Sequence, residues 1–269
     1  MSQQVPVAAH PWVYASRREK YDILPIIEDV IADMAYAGLE GIELMHTVLL
    51  QDGAVERIAA AGGKESLPVI GSSFGGAMWD AAQAEKVVED AYLATARLHA
   101  LGGKTLGVSV GKAPAKKTPD QFDVQVKVLR ELDAMCTQRG IVMNLHNHTY
   151  EVEDGEYDLR GTLERFPEVK LGPDLNWLRR AGIEPVDFIR RHGQSIVFLH
   201  LRDERAGRWV ESVGEGEEDF AAIRAALDEA NFAGIASIEL AWEGDFQPTR
   251  PLRESLKLSR EHIRKTMGW

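Results

Sequence analysis

The sequence predicts an α/β fold, a (β/α)8 barrel that forms a single domain over residues 1–269. Short apolar runs alternate with stretches of helical periodicity along the chain, and eight such units fit the usual size of this barrel. Four of the runs end in, or contain, a side chain able to bind a metal: His146, Asp174, His200 and Glu239. Because the carboxyl ends of barrel strands meet at one mouth, we expect these four side chains to converge there.

The first half of the chain supplies four strands, each followed by a helical pattern. Runs rich in β-branched and aliphatic residues predict strands over residues 5–9, 41–46, 67–74 and 104–111. Apolar residues at helical spacing predict helices over residues 24–38, 54–61, 82–102 and 119–140. Gly38 and Gly140 stand where helix ends are expected, and Pro119 suits a first helical turn.

The second half repeats the same cycle. Strands are predicted over residues 141–146, 169–174, 195–201 and 236–241. Helices are predicted over residues 159–166, 185–193, 217–234 and 251–268, of which the first has the weakest pattern. The rival fold is a doubly wound open sheet, which would favour a glycine-rich turn after the first strand. Here that turn reads HPWVY, without a glycine, and this favours the barrel.

Composition excludes several classes of protein. The formal net charge is −11 and no basic stripe is present, which argues against nucleic acid as a partner. No apolar run is long enough to cross a bilayer, and the N-terminal residues do not resemble a signal peptide, so no membrane association is expected. Cys136 is the single cysteine, which suits a cytoplasmic location. A soluble enzyme acting on a small molecule is the expectation.

The strand-end residues suggest a metal site. Side chains alternate along a strand, so Asn144, His146 and His148 share one direction, and Glu151 follows in the next loop. Glu239 is a carboxylate within an apolar strand and needs a partner or a cation. Taken singly, a histidine at a strand end is more often a core residue, and an aspartate there is often a helix cap. Together they predict a divalent cation: Mn²⁺ first, with Zn, Co, Mg or Fe also compatible.

Five motifs carry a resemblance to a known family: NLHNHTYE, PDLNWLRRAG, HLRD, VGEGEEDF and SIEL. The chain resembles the xylose-isomerase-like TIM barrel superfamily, which includes sugar phosphate isomerases and epimerases. The resemblance implies Asp174, His200 and Glu239 as metal ligands. Most relatives have a glutamate at the position of His146, so we take His146 as the fourth ligand, with Glu151 and then His148 as alternatives. Arg202 stands where the family usually has a lysine.

The resemblance implies a metal-dependent isomerase or epimerase that acts on a small keto-sugar or keto-polyol through an enediolate. Glu239 is the first proton-transfer residue, and His148 or Glu151 is the second. Loss of a hydroxyl after the same first step would make the chain a dehydratase or lyase on a keto-sugar or keto-inositol. The candidates for contact with the substrate are His10, His46, Trp177, Arg202 and Glu215.

Two further hypotheses come from other classes. A nuclease of the endonuclease IV type would need a larger metal cluster, for which His10, His46 and Glu43 are candidate ligands, but the acidic charge argues against it. A degenerate barrel acting as a binding or partner subunit is suggested by the missing strand-five glutamate. By analogy with such barrels we also expect a homo-oligomer, and the absence of a glycine-rich phosphate loop predicts a substrate without phosphate.

Overall fold

The computed structural model describes residues 5–269 and contains an eight-stranded parallel barrel. The barrel strands are β1 (Val7–Ala9), β2 (Ile42–Met45), β3 (Val69–Gly75), β4 (Thr105–Ser109), β5 (Val142–Leu145), β6 (Lys170–Leu171), β7 (Phe198–Leu201) and β10 (Ile235–Ile238). A separate two-stranded hairpin follows β7 and consists of β8 (Glu204–Arg205) and β9 (Arg208–Trp209). The predicted α/β barrel is therefore confirmed.

The barrel is closed between β6 and β7. The hydrogen-bonded order runs β6-β5-β4-β3-β2-β1-β10-β7, so these two strands are the ends of the sheet. Backbone hydrogen bonds from Val197 to Leu171 (2.9 Å) and from His200 to Pro173 (3.0 Å) join them. Asp174 and His200 form an isolated parallel bridge across the same seam. Closure thus brings the sixth and seventh strand ends side by side.

The helices surround the barrel and cover its apolar strands. They are α1 (Trp12–Ala15), α2 (Ile27–Tyr36), α3 (His46–Leu49), α4 (Ala54–Glu65), α5 (Ala84–Ala100), α6 (Pro119–Gln138), α7 (Thr149–Leu163), α8 (Leu175–Arg180), α9 (Pro185–His192), α10 (Phe220–Glu229) and α11 (Leu252–Met267). Their buried faces pack on the strands in one continuous hydrophobic core. Within the described range, no helix is both long and apolar enough to span a bilayer.

The strands lie close to their predicted positions, whereas several helices differ. Gly38 and Gly140 adopt the left-handed backbone expected just after a helix, with φ of 73° and 67°. The helix predicted over residues 159–166 begins at Thr149, because Glu151 accepts a hydrogen bond from the backbone N–H of His148 (2.6 Å) and so caps its first turn. That helix is interrupted by non-helical backbone at residues 153–156. The sequence prediction did not include α1, α3, α8 or the hairpin.

Candidate functional site

A cluster of buried ionisable side chains lies at the carboxyl ends of the barrel strands. We call it the axial cluster, and it consists of Glu43, His146, Asp174, His200, Arg202 and Glu239. Five of the six are buried, with exposed fractions of 5% or less, and His146 is half-buried. Burying this many ionisable groups is costly unless they pair with one another or with a ligand, so the cluster is the candidate functional site.

His200 lies at the centre of the axial cluster. Its Nε2 is 2.6 Å from Oε2 of Glu43, and its Nδ1 is 3.0 Å from Nδ1 of His146 and 3.2 Å from Oε2 of Glu239. Burial lowers the pKa of His200, but the carboxylates of Glu43 and Glu239 outweigh it and raise this pKa to about 9. The pKa of His146 is lowered by burial and by the neighbouring His200. Two ring nitrogens at this separation need a proton or a cation between them.

Glu239 directly follows β10 and is held by three neighbours. Its Oε1 is 2.7 Å from Nη2 of Arg202 and 3.3 Å from Nδ1 of His10. Burial raises the pKa of Glu239, but Arg202, His10 and His200 outweigh burial and hold this pKa below its usual value. Glu239 is therefore an ionised carboxylate at neutral pH.

Asp174 joins the axial cluster to a helix. Its Oδ1 accepts hydrogen bonds from the backbone N–H groups of Asn176 and Trp177 (both 3.0 Å), so it caps the start of α8. Its Oδ2 accepts a hydrogen bond from Nε of Arg202 (2.7 Å). Asn147 fixes the backbone of Asp174 with a pair of hydrogen bonds. Asp174 is thus the cap of α8 as well as a member of the axial cluster.

The axial cluster fits a divalent cation. His146, Asp174 and His200 each offer one donor atom, and these atoms lie within 4.8 Å of one another. Mixed imidazole and carboxylate donors suit divalent transition metals. His200 also directs its second nitrogen to Glu43, the carboxylate support that metal-binding histidines usually have. Glu239 is not a member of this donor group among the described residues, since Arg202 and His10 hold its Oε1.

His148 and Glu151, the two candidates for a second proton-transfer group, lie beside the donor group. The ring of His148 lies 5.0 Å from that of His146, and its Nδ1 is 3.3 Å from Oγ of Ser109. Glu151 is buried and caps α7, and burial raises its pKa. Neither residue belongs to the three-residue donor group found in the described chain.

The residues predicted to contact the substrate lie in different surroundings. His10 bonds Oγ of Ser73 (3.0 Å) and lies beside Glu239, whereas the ring of His46 packs on Phe74 at 4.6 Å. The guanidinium of Arg202 is buried between carboxylates. The two remaining candidates are nearer the rim. The ring of Trp177 lies 5.7 Å from that of His148, and Glu215 pairs with Arg250 at 2.6 Å.

The sequence interpretation missed the position of Glu43, which it treated only as an extra ligand for a nuclease. A signal was present, because the tripeptide Ile-Glu-Leu occurs at residues 42–44 and again at residues 238–240. β2 and β10 flank β1 in the sheet, so both glutamates point to the axis from strands separated by one other strand. Trp209 on the hairpin was also missed; its ring packs edge-on against Trp177 at 5.5 Å.

The molecule is thus an α/β barrel with a buried cluster of imidazoles and carboxylates at its carboxyl-terminal mouth. The sequence matches the family model of the xylose isomerase-like TIM barrel over residues 31–262. The chain belongs to this family. A search of curated protein sequences finds no significant match.

Solved structures share this fold over nearly their full lengths. The D-allulose 3-epimerase from Methylomonas sp. is 19% identical, with a TM-score of 0.80, and the match covers 98% of each chain. An L-ribulose 3-epimerase is 19% identical with a TM-score of 0.79, covering 98% of this chain and 95% of that one. The 3-keto-D-glucoside 4-epimerase from E. coli is 17% identical with a TM-score of 0.75, covering 96% and 100%. At these identities, the likeness shows a common fold.

Proposed function

We propose that the chain is a divalent-metal-dependent isomerase or epimerase that acts on a small keto-sugar or keto-polyol. The observation that carries the proposal is the donor group of His146, Asp174 and His200, in contact with the ionised carboxylate of Glu239 at the barrel mouth. The three similar epimerases described above are named for acting on ketoses or keto-glycosides, and this supports the same class of substrate.

His146, Asp174 and His200 would hold the cation, with Mn²⁺ as the first choice, and Glu239 would complete the ligand set. When bound, a divalent metal polarises a carbonyl and stabilises negative charge on an enediolate oxygen. Glu43 keeps His200 oriented through its hydrogen bond to Nε2. Asn147 and the first turn of α8 keep Asp174 in place.

Glu239 is the proposed base that removes the proton next to the carbonyl, because its carboxylate faces the donor group at the barrel mouth. His148 is the proposed second proton-transfer group, since it is partly exposed and its ring contacts that of His146. Glu151 would act through His148, because its carboxylate accepts a hydrogen bond from the backbone N–H of His148 (2.6 Å). Return of the proton to the other face of the carbon, or to the neighbouring carbon, gives epimerisation or isomerisation.

The rim of the site suits an uncharged sugar. The rings of Trp177 and Trp209 meet at 5.5 Å, and His148 stacks on Tyr150 at 5.2 Å, so apolar faces are available for a sugar ring. The arginines beside these rings, Arg180 and Arg202, are each paired with carboxylates. These pairings support a substrate without phosphate.

Proton exchange tests the function directly. We expect the metal-stripped protein, supplied with Mn²⁺ in D₂O, to exchange the proton next to the carbonyl of D-allulose, D-fructose or L-ribulose, as followed by ¹H NMR. The same protein without metal serves as the control. Exchange followed by loss of water would indicate the dehydratase instead. If no ketose exchanges with any divalent metal, the proposed function is wrong.

Metal content tests the ligand assignment. We expect elemental analysis to find a stoichiometric divalent ion that is lost in His146→Ala, Asp174→Ala and His200→Ala, because each variant removes one donor of the group. Glu151→Ala is the matched control and should retain the ion, since Glu151 caps α7 instead. Loss of the ion in Glu151→Ala but not in His146→Ala would reverse the assignment on strand five.

A further inference from the structure

Arg202 occupies an unusual place for a positively charged side chain. Its Nε lies 2.7 Å from Oδ2 of Asp174 and its Nη2 lies 2.7 Å from Oε1 of Glu239, so one guanidinium bridges two carboxylates proposed to bind the metal. Arg202 is only 5% exposed, so solvent does little to weaken these contacts. A fixed cation therefore already occupies a position between two of the proposed ligands.

The charges of the axial cluster show what this bridge does. Glu43, Asp174 and Glu239 supply three carboxylates, and Arg202 neutralises part of their charge and turns one oxygen of Glu239 away from the donor group. The group that remains positioned for a cation contains His146, Asp174 and His200 without Glu239. The other oxygen of Glu239, Oε2, lies 3.2 Å from Nδ1 of His200, so a divalent ion that binds Glu239 through both oxygens must displace the arginine.

We propose that Arg202 is a tethered cation that competes with the divalent metal for Asp174 and Glu239, so that metal binding requires Arg202 to release at least one of these carboxylates. The inference rests on the metal site of the proposed function. It explains how two neighbouring buried carboxylates are held in place before the metal arrives, and it predicts a weaker, more exchangeable metal than the same donors would bind without the arginine.

The surroundings of Arg202 provide a second position for its charge. The guanidinium carbon lies 5.5 Å from the ring of Trp177 and 5.5 Å from the ring of Trp209, so cation–π contacts persist after an ion pair is released. Its Nη1 is buried and has no hydrogen-bond partner in the part of the chain that the structure describes. An incoming hydroxyl or carbonyl oxygen of the substrate would satisfy this donor.

The competition can be measured without substrate. Isothermal titration of Mn²⁺ into the metal-stripped full-length protein should show at least about tenfold tighter binding in Arg202→Gln than in wild type, because a unit charge within a few ångströms is removed. Arg202→Lys should be intermediate, since a single ammonium nitrogen does not bridge two carboxylates as a guanidinium does. Arg179→Gln is the matched control: it removes the same charge from an ion pair with Glu218, and Mn²⁺ affinity should not change.

The possible results separate this inference from the proposed function. If the wild type binds Mn²⁺ and both Arg202 variants bind it equally or more weakly, competition is overturned and the metal site stands. If only the Arg202 variants bind Mn²⁺, competition is supported and the native chain does not depend on metal. If none binds, both ideas fail. Thermal unfolding of each variant identifies a folding failure, and Arg202→Lys retains the charge if Arg202→Gln does not fold.

Discussion

Two buried polar networks in this molecule each pair a cation with a carboxylate but differ in completeness. The Lys117 network consists of Lys117, Gln125, Asp158 and Thr162, and it joins the segment before α6 to α7. Lys117 pairs with Asp158 at 2.5 Å and with Gln125 at 2.7 Å, and Gln125 bonds Thr162 at 2.8 Å. Every side-chain polar group of this network therefore has a partner within the protein.

The axial cluster is incomplete by the same criterion. Its two histidine nitrogens face each other at 3.0 Å, and Nη1 of Arg202 is unpartnered among the residues that the structure covers. Buried polar groups are usually satisfied, and a network that leaves positions open is expected at a site that binds something else. Buried charge is common to both networks, and the unfilled hydrogen-bonding positions distinguish the axial cluster from the Lys117 network.

The largest effect is expected from replacing Glu239, the proposed proton acceptor of the axial cluster. Glu239→Gln should lower turnover by about 10³-fold or more, because it removes the carboxylate proposed to accept the proton while it keeps the volume. The deuterium-exchange assay measures this loss, and thermal unfolding checks that the fold is retained. Asp158→Asn is the matched control, the same change from carboxylate to amide in the Lys117 network, and it should keep the exchange activity. Normal exchange by Glu239→Gln would exclude Glu239 as the base.

The sequence predicted the barrel well because each strand is a short apolar run bounded by glycine, proline or polar residues, and local pattern determines such strands. It missed α8 because that helix has only six residues and begins with a cap, Asp174, that had been interpreted as a ligand. Helices this short depend on tertiary contacts more than on periodicity. In the structure the helix cap uses Oδ1 of Asp174 and the ion pair with Arg202 uses Oδ2, so capping leaves the second oxygen directed to the axial cluster.

The side-chain contacts of the candidate site also could not be predicted from the local sequence pattern. Strand alternation indicates that His200 and Arg202 share a direction, but it does not indicate which carboxylates a long side chain reaches. Arg202 contacts Asp174 across the seam that closes the barrel and Glu239 across the neighbouring strand pair, so its pairing depends on closure. The prediction that Arg202 contacts the substrate stays a prediction, and its Nη1, which has no hydrogen-bond partner within residues 5–269, is the atom available for that contact.

The next largest effect is expected from breaking the Lys117 network. Lys117→Met should lower the free energy of unfolding by about 3–5 kcal/mol, because it leaves the buried carboxylate of Asp158 without its cation. Urea unfolding measures this change, while metal content and the exchange rate of the folded protein should stay close to wild type. The double variant Lys117→Met, Asp158→Leu should recover part of the stability, because it removes the unpaired charge. A large loss of metal in Lys117→Met would show that the two networks are coupled.

The smallest effect concerns His46, a half-buried ionisable residue that belongs to neither network. Its ring packs on Phe74, and burial lowers its pKa from 6.5 to about 4. The unfolded chain therefore takes up a proton as the pH falls through 6.5, while the folded chain resists until about 4. Stability from the neutral ring is complete above this window and is lost as the pH falls through it.

His46→Gln should remove this proton uptake and reduce the loss of stability between pH 6.5 and pH 4 by about 1–2 kcal/mol, less than the full shift implies because the ring is partly exposed. Urea unfolding at the two ends of that pH range measures the difference. His99→Gln is the control, because His99 is exposed and its replacement should leave the pH dependence unchanged. An unchanged pH slope in His46→Gln would mean that His46 does not contribute to the acid sensitivity of the fold.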